Sequence, residues 1–276
     1  MKVKRKKTDK NSMRILRRLG APDPTFEAVE SAPINEREER ESRLSLAAAN
    51  QMNRFTNPYF SEIGVDGELG SDKERDGLRL DESHPLAKDY IENELFANLG
   101  FDGNSSEDAW SAATVSDLAK AYDPEFEGSV RHSDYIRRAF RGEGNYRAEE
   151  NRRDTEYQPG DILFQGRRER IIDPDTNEVI GYRNLGPQTY DEFALDGEGG
   201  GDWSGRSGYG SHSDVIVGTG TEPVLNRRGK QKTDLRGRPR TRTYYDVQGG
   251  NVGDTLNLKR YFADDIRRRY AGRLTQ

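Results

Sequence analysis

The sequence predicts an α+β fold with an antiparallel sheet, because helical periodicity comes first, strand-like runs come second, and the two do not alternate. Apolar residues recur at helical spacing between residues 83 and 140, and short β-branched and aromatic runs separated by turn residues fill the stretch from about 155 onward. Only 32% of the 276 residues are hydrophobic, against 34% charged. That is less core material than an average globular chain has, so part of this one is expected to lie outside a packed core. The expected organisation is a charged N-terminal arm over residues 1–80, a folded domain over 81–262 with insertions at 195–211 and 225–243, and a basic tail over 263–276.

The arm is polarised. Residues 1–20 carry nine Lys/Arg and one acid, Asp9, whereas residues 21–80 carry thirteen acids and seven bases. One helix is expected within it, over EREERESRLSLAAANQMNRF, a run of good helix formers. Pro22, Pro24, Pro33 and Pro58 mark the remainder as extended.

In the domain, Ser83 is a candidate cap and Pro85 suits a first turn. Leu86, Tyr90, Ile91, Leu95, Phe96 and Leu99 share a face, and Gly100 ends the helix. A second helix is expected after SSED, with Ser106 as N-cap and Glu107 and Asp108 on the positive end of its dipole. Ser111, Val115, Leu118 and Tyr122 form its stripe, and Asp123-Pro124 stops it. HSDYIRRAF reads as a third helix. The strands expected are GDILFQG, RERII and EVIGYR joined by DPDTN, then SDVIVG, TYYDVQGG and TLNLKRY.

Several classes of chemistry are excluded. With no cysteine there is no disulfide, no thiolate nucleophile and no cysteine-ligated zinc. No run approaches the roughly 20 apolar residues that span a bilayer, so membrane insertion is not expected. The opening MKVKRKKTDKNSMRILRRLG lacks an apolar h-region, so neither is an ordinary secretory signal. The net charge of −5 selects no partner, because the signs are segregated along the chain. Asp173, Asp175 and Asn177 imitate the start of a calcium loop, but Glu178 stands where its glycine belongs; a hairpin turn is expected instead. The glycines of residues 197–210 follow no strand and precede no phosphate-loop lysine, so they read as a mobile loop. No metal, nucleotide or other cofactor is expected.

Four further motifs fall in order: Trp110-Ser111-Ala112-Ala113 at a helix start, Pro159-Gly160-Asp161-Ile162 opening a strand, His212-Ser213-Asp214-Val215-Ile216-Val217 on the next, and Gly249-Gly250-Asn251-Val252 after that. Over roughly residues 84–262 this set resembles the CHAP branch of the papain-like amidases, NlpC-like enzymes included. It is especially similar to a CHAP-related family of unknown function with motifs WSAAF, HSDYI, HxDIV and GGNV. The resemblance implies a papain-like fold, with the nucleophile at the N-terminal end of a helix, its base on the facing strand, an orienting polar residue on the neighbouring strand, and cell-wall peptide or amide bonds as substrates. Residue by residue it implies Ser111 as nucleophile, His212 as base and Asn251 as orienter, with His132, Asp161 and Asp214 around them. The chain departs from the pattern in having serine where CHAP enzymes use cysteine, and Gly249 where an acid is often found. A serine hydroxyl, unlike a thiol, depends wholly on its base and an oxyanion hole.

Each position also has a structural reading. Ser111 suits packing against a sheet, His212 and Asn251 suit a strand end and a tight turn, His132 suits a helix N-terminus, and Asp161 suits a hydrogen bond within its own turn. The expected function is a phage virion- or tail-associated structural protein, made in the host cytoplasm and located in the virion. Its hydrolase-derived domain would be weakly active or inactive, with other virion proteins bound through the arm and peptidoglycan as a further partner. The alternatives are an active serine amidase and, ranked last, a nucleic-acid binder using residues 2–18 and 227–242.

Overall fold

The computed structural model describes residues 35–55, 80, 82–105, 110–250 and 256–276, and residues 36–276 form one compact unit. The candidate cap Ser106 with Glu107 and Asp108, the basic tip of the arm, and Asn251 lie outside the described residues. Helix α1 (Glu36–Arg54) is the helix expected within the arm, but it belongs to the domain. Its Leu44 and Ala48 enter the main core, and Arg43 donates to the carbonyls of Ala121 and Tyr122 at the end of another helix. The boundary at residue 80 is therefore corrected: too few apolar residues for a core of its own did not prevent this helix from lending a stripe to its neighbour's.

The next helix begins as α2 (Pro85–Tyr90), loosens to a π-turn over Ile91–Phe96, tightens to a 3₁₀ turn over Ala97–Leu99, and stops at Gly100 in the left-handed region at φ 67°. Its N-cap is His84 and not Ser83: His84 Nδ1 accepts from the Leu86 amide at 3.3 Å. Leu86, expected on the apolar face, is 55% exposed. Helices α3 (Ser111–Tyr122) and α4 (His132–Arg141) follow; α4 starts where expected and α3 stops at Asp123 as expected, but the N-cap of α3 is Trp110 and not Ser106.

Eight strands are described: β1 (Arg147–Glu150), β2 (Ile162–Gly166), β3 (Arg168–Ile172), β4 (Val179–Asn184), β5 (Ser211–Pro223), β6 (Thr241–Gly249), β7 (Asn257–Phe262) and β8 (Gly272–Thr275). The short helices α5 (Tyr190–Gly197) and α6 (Ala263–Arg269) interleave with them. Six strands make an antiparallel sheet in the order β1-β8-β2-β5-β6-β7, and β3 with β4 makes a separate hairpin. The turn of that hairpin is DPDTN, with Asp173 Oδ1 accepting from the amides of Asp175 and Thr176, and Asn177 left-handed at φ 56°. Residues 263–276 are not a tail. They supply α6 and β8, and β8 lies inside the sheet, pairing Leu274 with both Ala148 and Ile162.

The sheet is covered on both faces. Phe164, Val215, Val217 and Leu274 pack against α1, α3 and α4 on one face; Leu163, Ile216, Val247, Ile266 and Tyr270 form a smaller core on the other. A third cluster gathers Phe55, Tyr90, Ile91 and Phe96 around Trp110, whose indole stacks on Phe55 at 5.1 Å and donates to Glu82. The glycine-rich segment after α5, expected to be mobile, is pinned from α4. Arg137 pairs with the buried Asp196, donates to the carbonyls of Trp203 and Arg206, and lies over the Tyr209 ring. Among the described residues no helix is long and apolar enough to cross a membrane.

The packing of α1 is checked by a pair of substitutions. Leu44→Ala removes a fully buried side chain and should cost about 2–5 kcal/mol in denaturant unfolding. Leu46→Ala, on a residue 63% exposed two positions along, should cost less than about 0.5 kcal/mol. Equal small effects would show that the helix is not part of the core.

Candidate functional site

Ser111 is the first residue of α3, a helix buried along nearly its whole length. A polar atom in such a place must find its partner inside the protein. Ser111 Oγ lies 2.6 Å from His132 Nε2, at the N-terminus of α4. The other ring nitrogen, Nδ1, faces two hydroxyls, Tyr135 at 2.5 Å and Ser213 at 2.6 Å, which also lie 2.6 Å from each other. A neutral imidazole has one N–H and one lone pair, so the ring bridges the Ser111 hydroxyl on one side and the Tyr135–Ser213 pair on the other. Ser111 and Ser213 are 0% exposed and His132 is 7% exposed. Burial pushes the His132 imidazole well below its ordinary range, with the neighbouring His212 and Arg167 adding in the same direction. It is therefore neutral near pH 7.

His212 is not the partner of Ser111, which corrects the expected pair. Along β5, Ser213 and Val215 face α3 and α4, while His212, Asp214 and Ile216 leave the strand on the opposite face. His212 Nε2 lies 3.1 Å from Asp214 Oδ1, and Tyr270 donates its hydroxyl proton to Asp214 Oδ2 at 2.5 Å. Because His212 is at the strand's start, its ring still meets His132 edge to face, centroids 5.5 Å apart. Burial alone would raise the Asp214 carboxyl. The His212 charge, the hydrogen bonds from His212 and Tyr270, and Lys259 outweigh it and hold Asp214 below the usual carboxylate range. The Tyr270 phenol is pushed far up by burial and then by Asp214.

The two consecutive glycines of the GGNV motif have a steric reason. A Cβ on Gly249 would lie 1.6 Å from Asp214 Oδ1, and one on Gly250 would lie 2.5 Å from Thr114 Oγ1 and 2.7 Å from the Trp110 ring. The space where the resemblance expects an acid at 249 is thus filled by the carboxylate of Asp214. Asp161 takes no part in the cluster. It precedes β2 at the end remote from Gln165, which pairs with His212, and accepts from the Gln158 amide in its own turn and from Arg273.

His212, Asp214 and Tyr270 open onto a cleft of about 650 Å³, which neither Ser111 nor His132 lines. Its walls come from the β2–β3 junction, β7 and α6, and carry Arg167, Arg168, Lys259, Arg268 and Arg269. Sequence reasoning missed the cleft, since its cations are scattered over three segments.

No family model, curated protein or solved structure matches this chain. Chemically, the arrangement offers two separate groups: a buried serine–imidazole–hydroxyl cluster, and a histidine–aspartate pair at a basic opening.

The buried, neutral His132 makes a signed prediction. The unfolded chain takes up a proton on this residue as pH falls below about 6.5, whereas the folded protein resists it, so stability is lost as pH falls from there toward the depressed native value. In that window the slope should approach about 1.4 kcal/mol per pH unit, with stability rising with pH. His132→Gln should flatten the slope of urea-unfolding free energy between pH 6.5 and 5. An unchanged slope would mean that His132 is not buried in its neutral form.

Proposed function

We propose that the chain is a virion- or tail-associated structural protein whose domain derives from a CHAP-type peptidoglycan hydrolase and no longer turns over through Ser111. The supporting observation is the sealing of Ser111: its oxygen is fully buried and held by His132, and the cleft reaches neither group. A nucleophile must meet its substrate's carbonyl, with oxyanion donors about 3 Å from the reacting atom. Here that space belongs to packed protein, and the hydroxyl serves as a partner for a buried ring. The virion setting, the partner proteins and the wall polymer come from the resemblance of the motifs.

The test joins labelling with turnover. A fluorophosphonate should not label the folded protein, and purified peptidoglycan should release no soluble fragments above background. Ser111→Ala should lower stability by about 1–3 kcal/mol, because it strips a partner from a buried nitrogen, without changing the release assay. Labelling at Ser111, or wall release by the wild type that Ser111→Ala abolishes, would establish a serine amidase instead.

A second reading, nucleic-acid binding, is favoured by the segment between β5 and β6. There Asn226 and Asp234 each order a tight loop by accepting backbone amides, from Arg228 and Lys230 and from Arg236 and Arg238. The result is an ordered basic projection: residues 227–242 hold eight Lys/Arg and one acid, and Leu235 stands fully exposed at a loop tip. On this reading, fluorescence anisotropy with duplex DNA should show affinity falling steeply with salt, and replacing Arg227, Arg228, Lys230 and Lys232 by Gln should reduce that slope. Salt-independent or undetectable binding would dismiss it.

A further inference from the structure

Among the described residues, the cleft beside His212 carries an excess of positive charge. Among its described lining residues, five cationic side chains face a single carboxylate, Asp214. That carboxylate is already committed to His212 and Tyr270. Arg168 donates to Gln188, and Arg269 lies over the Tyr261 ring. The side chains of Arg167, Lys259 and Arg268 make no hydrogen bond or ion pair with any described residue. Arg167 is the most telling of them, because it is half-buried at the cleft wall. A guanidinium partly removed from water, with only the more distant Asp214 to offset it and no direct ion pair among the described residues, is costly to hold. Many other arginines of the domain are paired, among them Arg43, Arg137, Arg242, Arg260 and Arg273.

The supply of donors fits one ligand chemistry. Guanidinium forks match phosphoryl oxygens bidentately, and an ammonium binds them as a point charge. The groups come from three separate elements around one concavity, which suits neighbouring phosphoryl groups better than one isolated anion. The cleft volume lies in the usual range for small-molecule sites. Gln165 and Asn257 in the lining add neutral amide groups. We propose that this cleft binds a small oligophosphate, a ligand with two or three consecutive phosphoryl groups, with Arg167 as its central anchor. The site is independent of Ser111 and of the basic projection between β5 and β6.

The probe is inorganic tripolyphosphate, titrated calorimetrically into the full chain at fixed ionic strength, with monophosphate for comparison. Saturable one-to-one binding is expected, tighter for tripolyphosphate than for monophosphate. Arg167→Gln should weaken it at least about tenfold, the loss of a charge-assisted contact. Arg268→Gln on the exposed face of α6 should weaken it as well without risk to folding. A protein with Arg227 and Arg228 both changed to Gln should bind as the wild type does. Absence of saturable binding would overturn the proposal. So would a loss of affinity caused by the Arg227/Arg228 change and not by Arg167→Gln or Arg268→Gln, which would place the anion on the projection.

Discussion

The burial of α3 on nearly every side is the constraint around which the domain is arranged. The sheet lies under this helix, α1 and α4 flank it, and the Trp110 cluster closes its start. Most of its polar side chains are buried, and a buried polar group must be answered by a neighbour. Ser111 is answered by His132, Ser116 Oγ donates to the Ser129 carbonyl and accepts its amide, and Asp117 accepts from Gln51 of α1. Gln51 in turn accepts from Gln248 of β6. These bonds specify which neighbour sits where, a task that apolar contacts alone leave loosely defined. The serine that looks like a nucleophile is one member of this set.

This arrangement bears on how a hydrolase-like motif set can persist without turnover. A residue that satisfies a buried partner cannot be exchanged freely even when it performs no chemistry, since the bereaved group bears the desolvation cost. Ser111, His132, Tyr135 and Ser213 hold one another in this way. The glycines at 249 and 250 are held by the approach of Asp214 and Trp110. Motifs of this kind therefore encode the meeting of a helix, a strand and a turn as much as they encode an active site.

Much of the fold was legible from periodicity: α1, α4 and the β3–β4 hairpin fall where spacing and turn residues put them. The partner of Ser111 was not, and the reason is physical. Val215, Ile216 and Val217 are all buried because the sheet is covered on both faces. A run that is apolar at every position does not reveal which residues look which way. A shift of one position exchanges His212 for Ser213 at the helix face, and that is the difference found. The segment from 263 onward was misread for another reason. Its charges at Asp264, Asp265 and Arg267–Arg269 hide a single buried Ile266, and β8 is only four residues long. The cleft left no local pattern at all, because its arginines meet only in three dimensions.

The position of β8 sets an order of events in the cell. Strand β2 finds one of its two neighbours in β5, about fifty residues downstream, but the other, β8, is more than a hundred residues away along the chain. Synthesis proceeds from the N-terminus, so β1 has no strand partner, and β2 keeps one edge open even after β5 is made, until residues 272–275 emerge. During that interval the apolar side chains of Ile162 and Phe164 lie beside an unpaired edge, the condition that invites pairing with a foreign strand. Interruption of translation short of residue 272 would accordingly yield a chain with most of its core residues and no closed sheet, a substrate for chaperones and proteases.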